Sequence, residues 1–273
     1  MFGKFIENVR NTAPLIHNIT NYVTSNDVAN IILACGGSPI MADEPEEAAE
    51  ITSICSGLNI NIGMLNSRKI EAMFLSGRKA AELRCPILLD PVGVGASSLR
   101  INTVLRLIKE LPITVIRGNI SEIRSLALGS GSSRGVDANF EDTVTEENLE
   151  SAVRFVKVFA AKCGSVIAVT GKIDLVSDGI ACYVIRNGRP EMGRITGTGC
   201  QLSGMMTAFV SANPGHETEA CAAAVCAMGL AGEIGFRHMQ PGDGNAAYRS
   251  RIIDAVYNMS GKILDEGENY EVR

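Results

Sequence analysis

The chain has no tryptophan, only 3 histidines in 273 residues, and 5% aromatic content. His17, His216 and His238 stand too far apart for the close spacing of a His-based metal site. None of its 8 cysteines forms a Cys-x-x-Cys pair. Cys35, Cys55, Cys85, Cys163, Cys182, Cys221 and Cys226 lie among apolar or small neighbours, so buried thiols in a reducing compartment are expected rather than disulfides or zinc. Positive charge is also scarce. The 25 Lys and Arg against 30 Asp and Glu leave a formal charge of −5, without the clustered cations that binding a phosphate backbone needs, and this argues against nucleic acid. No apolar run reaches the ~20 residues of a membrane span; the most apolar tract, Ala220 to Gly232, ends in Glu219 and Glu233. Nor does a basic stretch followed by an apolar run open the sequence, so the expectation is a cytoplasmic protein without membrane contact.

What the chain does have is 46% hydrophobic and 20% charged residues, a globular composition that excludes disorder. Residues 1–273 suit one large α/β domain. Short apolar runs at Leu58–Ile62, Pro86–Asp90, Ile113–Arg117 and Val166–Thr170 alternate with amphipathic stretches near Ser67–Glu82, Thr103–Glu110 and Thr145–Lys162. That rhythm predicts a buried parallel sheet covered by helices. Leu175–Ser177 and Ala181–Arg186, followed by turns at Asp178-Gly179 and Asn187-Gly188, predict antiparallel strands. Helices rich in small residues are predicted over Thr198–Ser211, Glu217–Phe236 and Ala246–Gly261, and Leu128–Thr143 reads as a polar surface loop.

Four strand ends carry unexpected polarity, and ligands of open α/β sheets bind beyond the carboxyl ends of strands. In Leu88-Leu-Asp-Pro-Val-Gly-Val-Gly95, Asp90 either caps a turn or supplies a carboxylate to Mg²⁺, with the glycines admitting a phosphate. In Ile116-Arg-Gly-Asn-Ile-Ser-Glu122, Asn119 and Glu122 form a helix-capping pattern. Arg117 suits a polyphosphate, and Glu122 could also orient a metal-bound water. Thr170-Gly171 closes the strand Ile167-Ala-Val; it is either a plain turn or a donor to a nucleotide.

The fourth is Arg194-Ile-Thr-Gly-Thr-Gly-Cys-Gln-Leu-Ser203. Amides of Gly197, Thr198 and Gly199 at a helix start would form an anion hole. Cys200 in that field would have its pKa lowered, unless it is simply a small buried residue packing the helix start. Met41, in Pro39-Ile-Met-Ala42, is either a core methionine or a soft surface for a heteroaromatic ring. The acidic run Asp43, Glu44, Glu46 and Glu47 reads as a solvated helix start.

Taken together, GTGC, DPVGVGAS, RGNISE, HNITNYVTSNDVAN and PIMADEPEE resemble the hydroxyethylthiazole kinase family from about Pro14 to beyond Phe209. The resemblance implies a ribokinase-like three-layer α/β/α fold with a mostly parallel central sheet. It also implies transfer from ATP, with Mg²⁺, to the primary alcohol of 4-methyl-5-(2-hydroxyethyl)thiazole in thiamine biosynthesis or salvage, by a homotrimer with interfacial active sites. By motif it gives ATP contacts to Arg117 and Thr170 and thiazole contacts to Met41, Gly197 and Asn21. Metal handling falls to Asp90 and Glu122, and a catalytic position to Cys200, where many ribokinase-fold relatives carry aspartate. Competing readings are a kinase for hydroxymethylpyrimidine or pyridoxal, a nicotinamide-hydrate dehydratase, which the cysteine disfavours, and a non-catalytic nucleotide-binding protein.

Overall fold

The computed structural model describes residues 1–129 and 143–273. The elements run α1 (Gly3–Thr12), β1 (Leu15–Ile19), α2 (Ser25–Cys35), β2 (Ser38–Met41), α3 (Pro45–Ser53), β3 (Gly57–Asn61), α4 (Ser67–Leu83), β4 (Ile87–Asp90), α5 (Ser98–Glu110), β5 (Val115–Gly118), α6 (Ile120–Gly129), α7 (Leu149–Cys163), β6 (Val166–Val169), β7 (Asp174–Ser177), β8 (Cys182–Ile185), α8 (Thr198–Ala212), α9 (Glu217–Arg237), α10 (Asn245–Tyr257), α11 (Gly261–Gly267) and β9 (Tyr270–Val272). The strands form one sheet in the order β2-β1-β3-β4-β5-β6-β7-β8-β9. The pairs from β2 to β6 are parallel and the last three are antiparallel. The three-layer, mostly parallel architecture expected from the sequence is the one observed.

Alternation along the strands builds the layers, because successive side chains point to opposite faces. Leu88, Val115 and Ala168 join a core with residues of α1, α2, α8, α9 and α10. Their neighbours Leu89, Ile116, Ile167 and Val169 join a second core with residues of α4, α5, α6 and α7. Helix α9 is long and apolar enough to cross a membrane, yet its residues from Ala220 to Gly232 are buried, so it is a core helix of this fold.

Several boundaries differ from expectation for local reasons. Helix α5 starts at Ser98 because Ser97 Oγ accepts from Arg100 N at 3.3 Å, an N-cap that the apolar spacing could not reveal. Helix α7 starts later than Thr145, whose amide donates to Asn148 Oδ1 at 2.8 Å in a turn before the helix. The predicted helix Ala246–Gly261 is two helices, α10 and α11, the second capped by Ser260 Oγ accepting from Ile263 N at 3.2 Å. The predicted hairpin between β7 and β8 forms as read, with Gly179 at φ 96° and Asp178 Oδ1 accepting from Ile180 N and Ala181 N. Of the predicted loop Leu128–Thr143, Leu128 and Gly129 belong to α6, and 130–142 lie outside the described residues.

The strand order places a reversal of winding between β1 and β3, because the chain leaves β1 toward β2 and then returns to the other side. In doubly wound sheets this is where the carboxyl ends of the strands open a crevice. Helix α8 crosses there. Its face Cys200, Ser203, Thr207, Ser211 recurs at helical spacing and lies along β3, whose Asn59 and Asn61 are fully buried. A Cβ at Gly57 would collide with Ser211 Oγ, so the glycine is what lets the helix approach. The hydroxyls of Thr207 and Ser211 are satisfied within the helix, donating to Ser203 O at 2.8 Å and Thr207 O at 2.7 Å.

Candidate active site

The start of α8 is the centre of the site. Gly197 caps it at φ 87°, and a Cβ there would strike Thr24 Cγ2; both the backbone conformation and the close approach require glycine. The first bond of the helix runs from Gln201 N to Gly197 O at 2.8 Å, and no side chain caps the turn. The amides of Thr198, Gly199 and Cys200 thus stand at the positive end of the helix, where an anion is favoured. The Arg117 guanidinium lies against the same turn: a Cβ built on Gly199 would come within 2.5 Å of Nη1.

Arg117 is a buried cation at the end of β5. It donates to Thr170 Oγ1 at 2.5 Å and pairs with Asp90 Oδ2 at 3.6 Å. Asp90 is fully buried at the end of β4. Its Oδ2 accepts from Asn61 Nδ2 at 2.8 Å and from Ser203 Oγ at 2.9 Å, while Oδ1 is buried without a hydrogen-bond partner. Burial raises its pKa to about 6, and Glu122 adds to the rise; Arg117, Ser203 and Asn61 oppose it.

Cys200 belongs to the helix-side core, yet its Sγ reaches this polar group. It accepts from Asn61 Nδ2 at 3.2 Å and from Asn21 Nδ2 at 3.3 Å. Asn21 is held in turn by Thr24, whose N and Oγ1 donate to its Oδ1 at 3.1 and 3.0 Å. The lowered thiol pKa expected at a helix start is not what the site produces. Burial raises it, and the Asp90 carboxylate raises it further, outweighing Thr24, Asn21 and Arg117. The sulfur is therefore a neutral thiol at neutral pH.

Glu122 does the capping the sequence indicated: its Oε2 accepts from Asn119 N at 2.9 Å while Asn119 Oδ1 accepts from Glu122 N at 2.8 Å. Its other oxygen accepts from Gly93 N at 2.8 Å, tying the loop after β4 to α6. Asn21, Asp90, Arg117, Thr170, Gly197, Gly199 and Cys200 come together, then, with Glu122 at their edge. Met41 is half-buried at the end of β2 and opposite Asn18 in the register, on the strand next to the one that leads into Asn21. Of the acidic run, Glu46 and Glu47 are exposed in the first turn of α3 as expected, whereas Asp43 pairs with Lys69 at 3.1 Å and Glu44 pairs with Arg68.

The sequence reading overlooked Asn61, Ser203 and Asp174. Asn61 could have been found from the alternation Leu58-Asn-Ile-Asn61 in an otherwise apolar strand, and Ser203 from its position one turn after Cys200. Asp174 left no such signal. It is buried at the start of β7, and its Oδ1 accepts from Gly171 N at 2.7 Å. Burial raises its pKa to about 7 against the pull of Gly171 N–H and Arg117.

The sequence profile of the Hydroxyethylthiazole kinase family matches residues 6–262. The chain is 55% identical over 271 residues to a hydroxyethylthiazole kinase of Clostridium acetobutylicum, covering 99% of both chains. It is 45% identical to one of Ruminiclostridium cellulolyticum, covering 96% of this chain and 94% of that one. The solved hydroxyethylthiazole kinase of Pyrococcus horikoshii superposes with a TM-score of 0.88 at 30% identity, covering 100% of this chain and 98% of that one. A ribokinase-like protein of Enterococcus faecalis, 13% identical with a TM-score of 0.63 over 94% of this chain and 89% of its own, shares the fold.

Proposed function

The chain belongs to the hydroxyethylthiazole kinase family, and from that premise we propose that it transfers the terminal phosphoryl group of ATP to the primary hydroxyl of 4-methyl-5-(2-hydroxyethyl)thiazole. The observation that carries the reading is the convergence of Arg117, the α8 amides and Cys200 on one point beyond the sheet. A guanidinium and a helix start suit the oxygens of the migrating group, and the thiol stands where the acceptor alcohol would approach.

Phosphoryl transfer passes through a loose transition state, so early removal of the alcohol proton matters less than charge neutralisation and alignment. A neutral thiol suits that demand. We assign Cys200 the task of orienting the hydroxyl by a hydrogen bond at Sγ, while the hydroxyl proton passes late to an oxygen of the migrating phosphoryl group as the new O–P bond forms and the bond to the departing ADP breaks. Arg117 and Thr170 hold the nucleotide phosphates. Asn21, Gly197 and Met41 contact the acceptor, whose uncharged ring suits a thioether wall.

Mg²⁺ belongs to the same reading. Among the described residues no group of three or more His, Cys, Asp or Glu is placed to cage an ion, but this cation is commonly held by one or two carboxylates together with substrate phosphates and water. The unpartnered Oδ1 of Asp90 fits that use, with Glu122 next to it across Gly93. When bound, the ion would neutralise phosphate charge. A homotrimer with interfacial sites is also part of the proposal, supported by Tyr22 and Val23, apolar side chains 60% and 67% exposed beside Asn21.

Incubation with Mg-ATP and a panel of alcohols, read by mass spectrometry, tests the function. Thiazole phosphate should form faster than hydroxymethylpyrimidine or pyridoxal phosphate. ATP binding with no phosphorylated alcohol would overturn the reading in favour of a nucleotide-binding protein.

A further inference from the structure

The transfer reaction gives no task to a buried ammonium beside the site. Lys69, in the first turn of α4, is 1% exposed. Its Nζ donates to Thr20 O at 2.9 Å, pairs with Asp43 Oδ2 at 3.1 Å and lies 3.8 Å from the centre of the Tyr22 ring. The Tyr22 hydroxyl donates to the same Asp43 oxygen at 2.6 Å. Burying an ammonium is costly unless its charge and donors are matched, and here they are matched by residues of two separate segments.

Those segments are the turn after β1 and the loop after β2. Thr20 and Tyr22 flank Asn21, whose amide touches Cys200. Asp43 lies two residues beyond Met41. None of these three partners comes from β5, which carries Arg117, or from β6, which Thr170 follows. We infer that Lys69 is a positioning residue for the acceptor side of the site: from behind the pocket its ammonium ties together the two segments that present Asn21 and Met41. This rests on the proposed acceptor role of those two residues. Lys69 acts through them and touches neither substrate.

Three variants separate positioning from plain stability. Lys69→Met keeps the aliphatic stem and removes the ammonium. Asp43→Asn removes the ion pair and leaves the bond to Thr20. Lys69→Met/Asp43→Asn removes the ammonium without leaving a carboxylate unpaired. Lys69→Met should raise KM for the thiazole at least tenfold with KM for ATP within twofold, and Asp43→Asn should raise the thiazole KM less than threefold. The double variant should recover thermal stability relative to Lys69→Met yet keep the raised thiazole KM. If both KM values rise together, or the thiazole KM recovers along with stability, the positioning role is overturned.

A second readout does not depend on which alcohol is accepted. Alkylation of Cys200 by iodoacetamide, followed on its peptide by mass, should be several-fold faster in both variants lacking the ammonium than in wild type or Asp43→Asn, because Asn21 no longer holds the sulfur. An unchanged rate overturns the inference. Wild-type enzyme that ignores the thiazole, while Lys69→Met still accelerates alkylation, removes the acceptor assignment and leaves the Lys69–Asn21 coupling standing.

Discussion

Two neighbouring residues at the start of α8 divide the chemistry unequally. Gly199 leaves room for the Arg117 guanidinium, and a side chain there would come within 2.5 Å of it. Gly199→Val should therefore displace Arg117 and block the anion-binding amides together, lowering kcat by about 10²–10³-fold, as loss of oxyanion donors does. Cys200→Ala removes only a neutral thiol whose pKa burial has already raised, and should cost about 10-fold, below the ~10²–10⁴-fold that a general base contributes. Steady-state kinetics of the two variants with thiazole and Mg-ATP check the ranking, and a greater loss in Cys200→Ala would refute it. Position 200 was legible in the sequence because a thiol inside Gly-Thr-Gly has few packing reasons to be there. Its protonation state was not legible. A helix terminus lowers a thiol pKa, but burial beside Asp90 acts the other way, and Asp90 lies 110 positions earlier in the chain.

At the scale of elements, the site is a consequence of α8 lying along β3. Gly57 makes that approach possible, since a methyl group would overlap Ser211 Oγ. Gly57→Ala should destabilise the fold by about 1–3 kcal/mol, the usual cost of overpacking, and Ser211→Gly should recover part of it, as urea unfolding of both variants and their combination would measure. Asp174 affects stability differently. The fold raises its pKa to about 7, so its protonated form is favoured on folding. The resulting stabilisation is complete below the unfolded value near 3.9 and is lost as pH rises through 7. Asp174→Asn keeps an acceptor for Gly171 N and cannot ionise, so its melting temperature should gain on wild type between pH 5 and pH 8. A gap independent of pH would contradict this. Strands β3 to β6 were readable because they are buried on both faces and their sequences are short apolar runs, interrupted only by Asn59 and Asn61 in β3 and by the polar ends Asp90 and Arg117. Strands β1 and β2 were not: β1 contains His17 and Asn18, and β2 contains Pro39 and is only half-buried. His17 is accommodated by hydrogen-bonding distances of 2.9 Å to Thr52 Oγ1 and 2.8 Å to Ala42 O, contacts that only the assembled sheet brings together.

Across the whole molecule, the two chain ends meet. The Phe2 ring stacks on Tyr270 with centroids 4.5 Å apart and lies 5.9 Å from Tyr183, while Phe2 N donates to Glu268 Oε2 at 2.8 Å. A double-mutant cycle on Phe2→Ala and Tyr270→Ala should return a coupling of about 0.5–1.5 kcal/mol, and additive losses would deny it. No periodicity within either segment announced this contact, because its partners are separated by nearly the full length of the chain. The far edge of the sheet is managed by different means. Among the described residues β2 pairs only with β1, and Ser38 N donates inward to Pro14 O at 2.9 Å, so the next residue, Pro39, turns its nitrogen, which bears no hydrogen, to the outside. An incoming strand from another molecule would find a donor missing there. The rim that supports the acceptor side of the pocket is thus protected against fibrillar stacking, and a chain with threonine in place of Pro39 would be the one to watch for turbidity on storage.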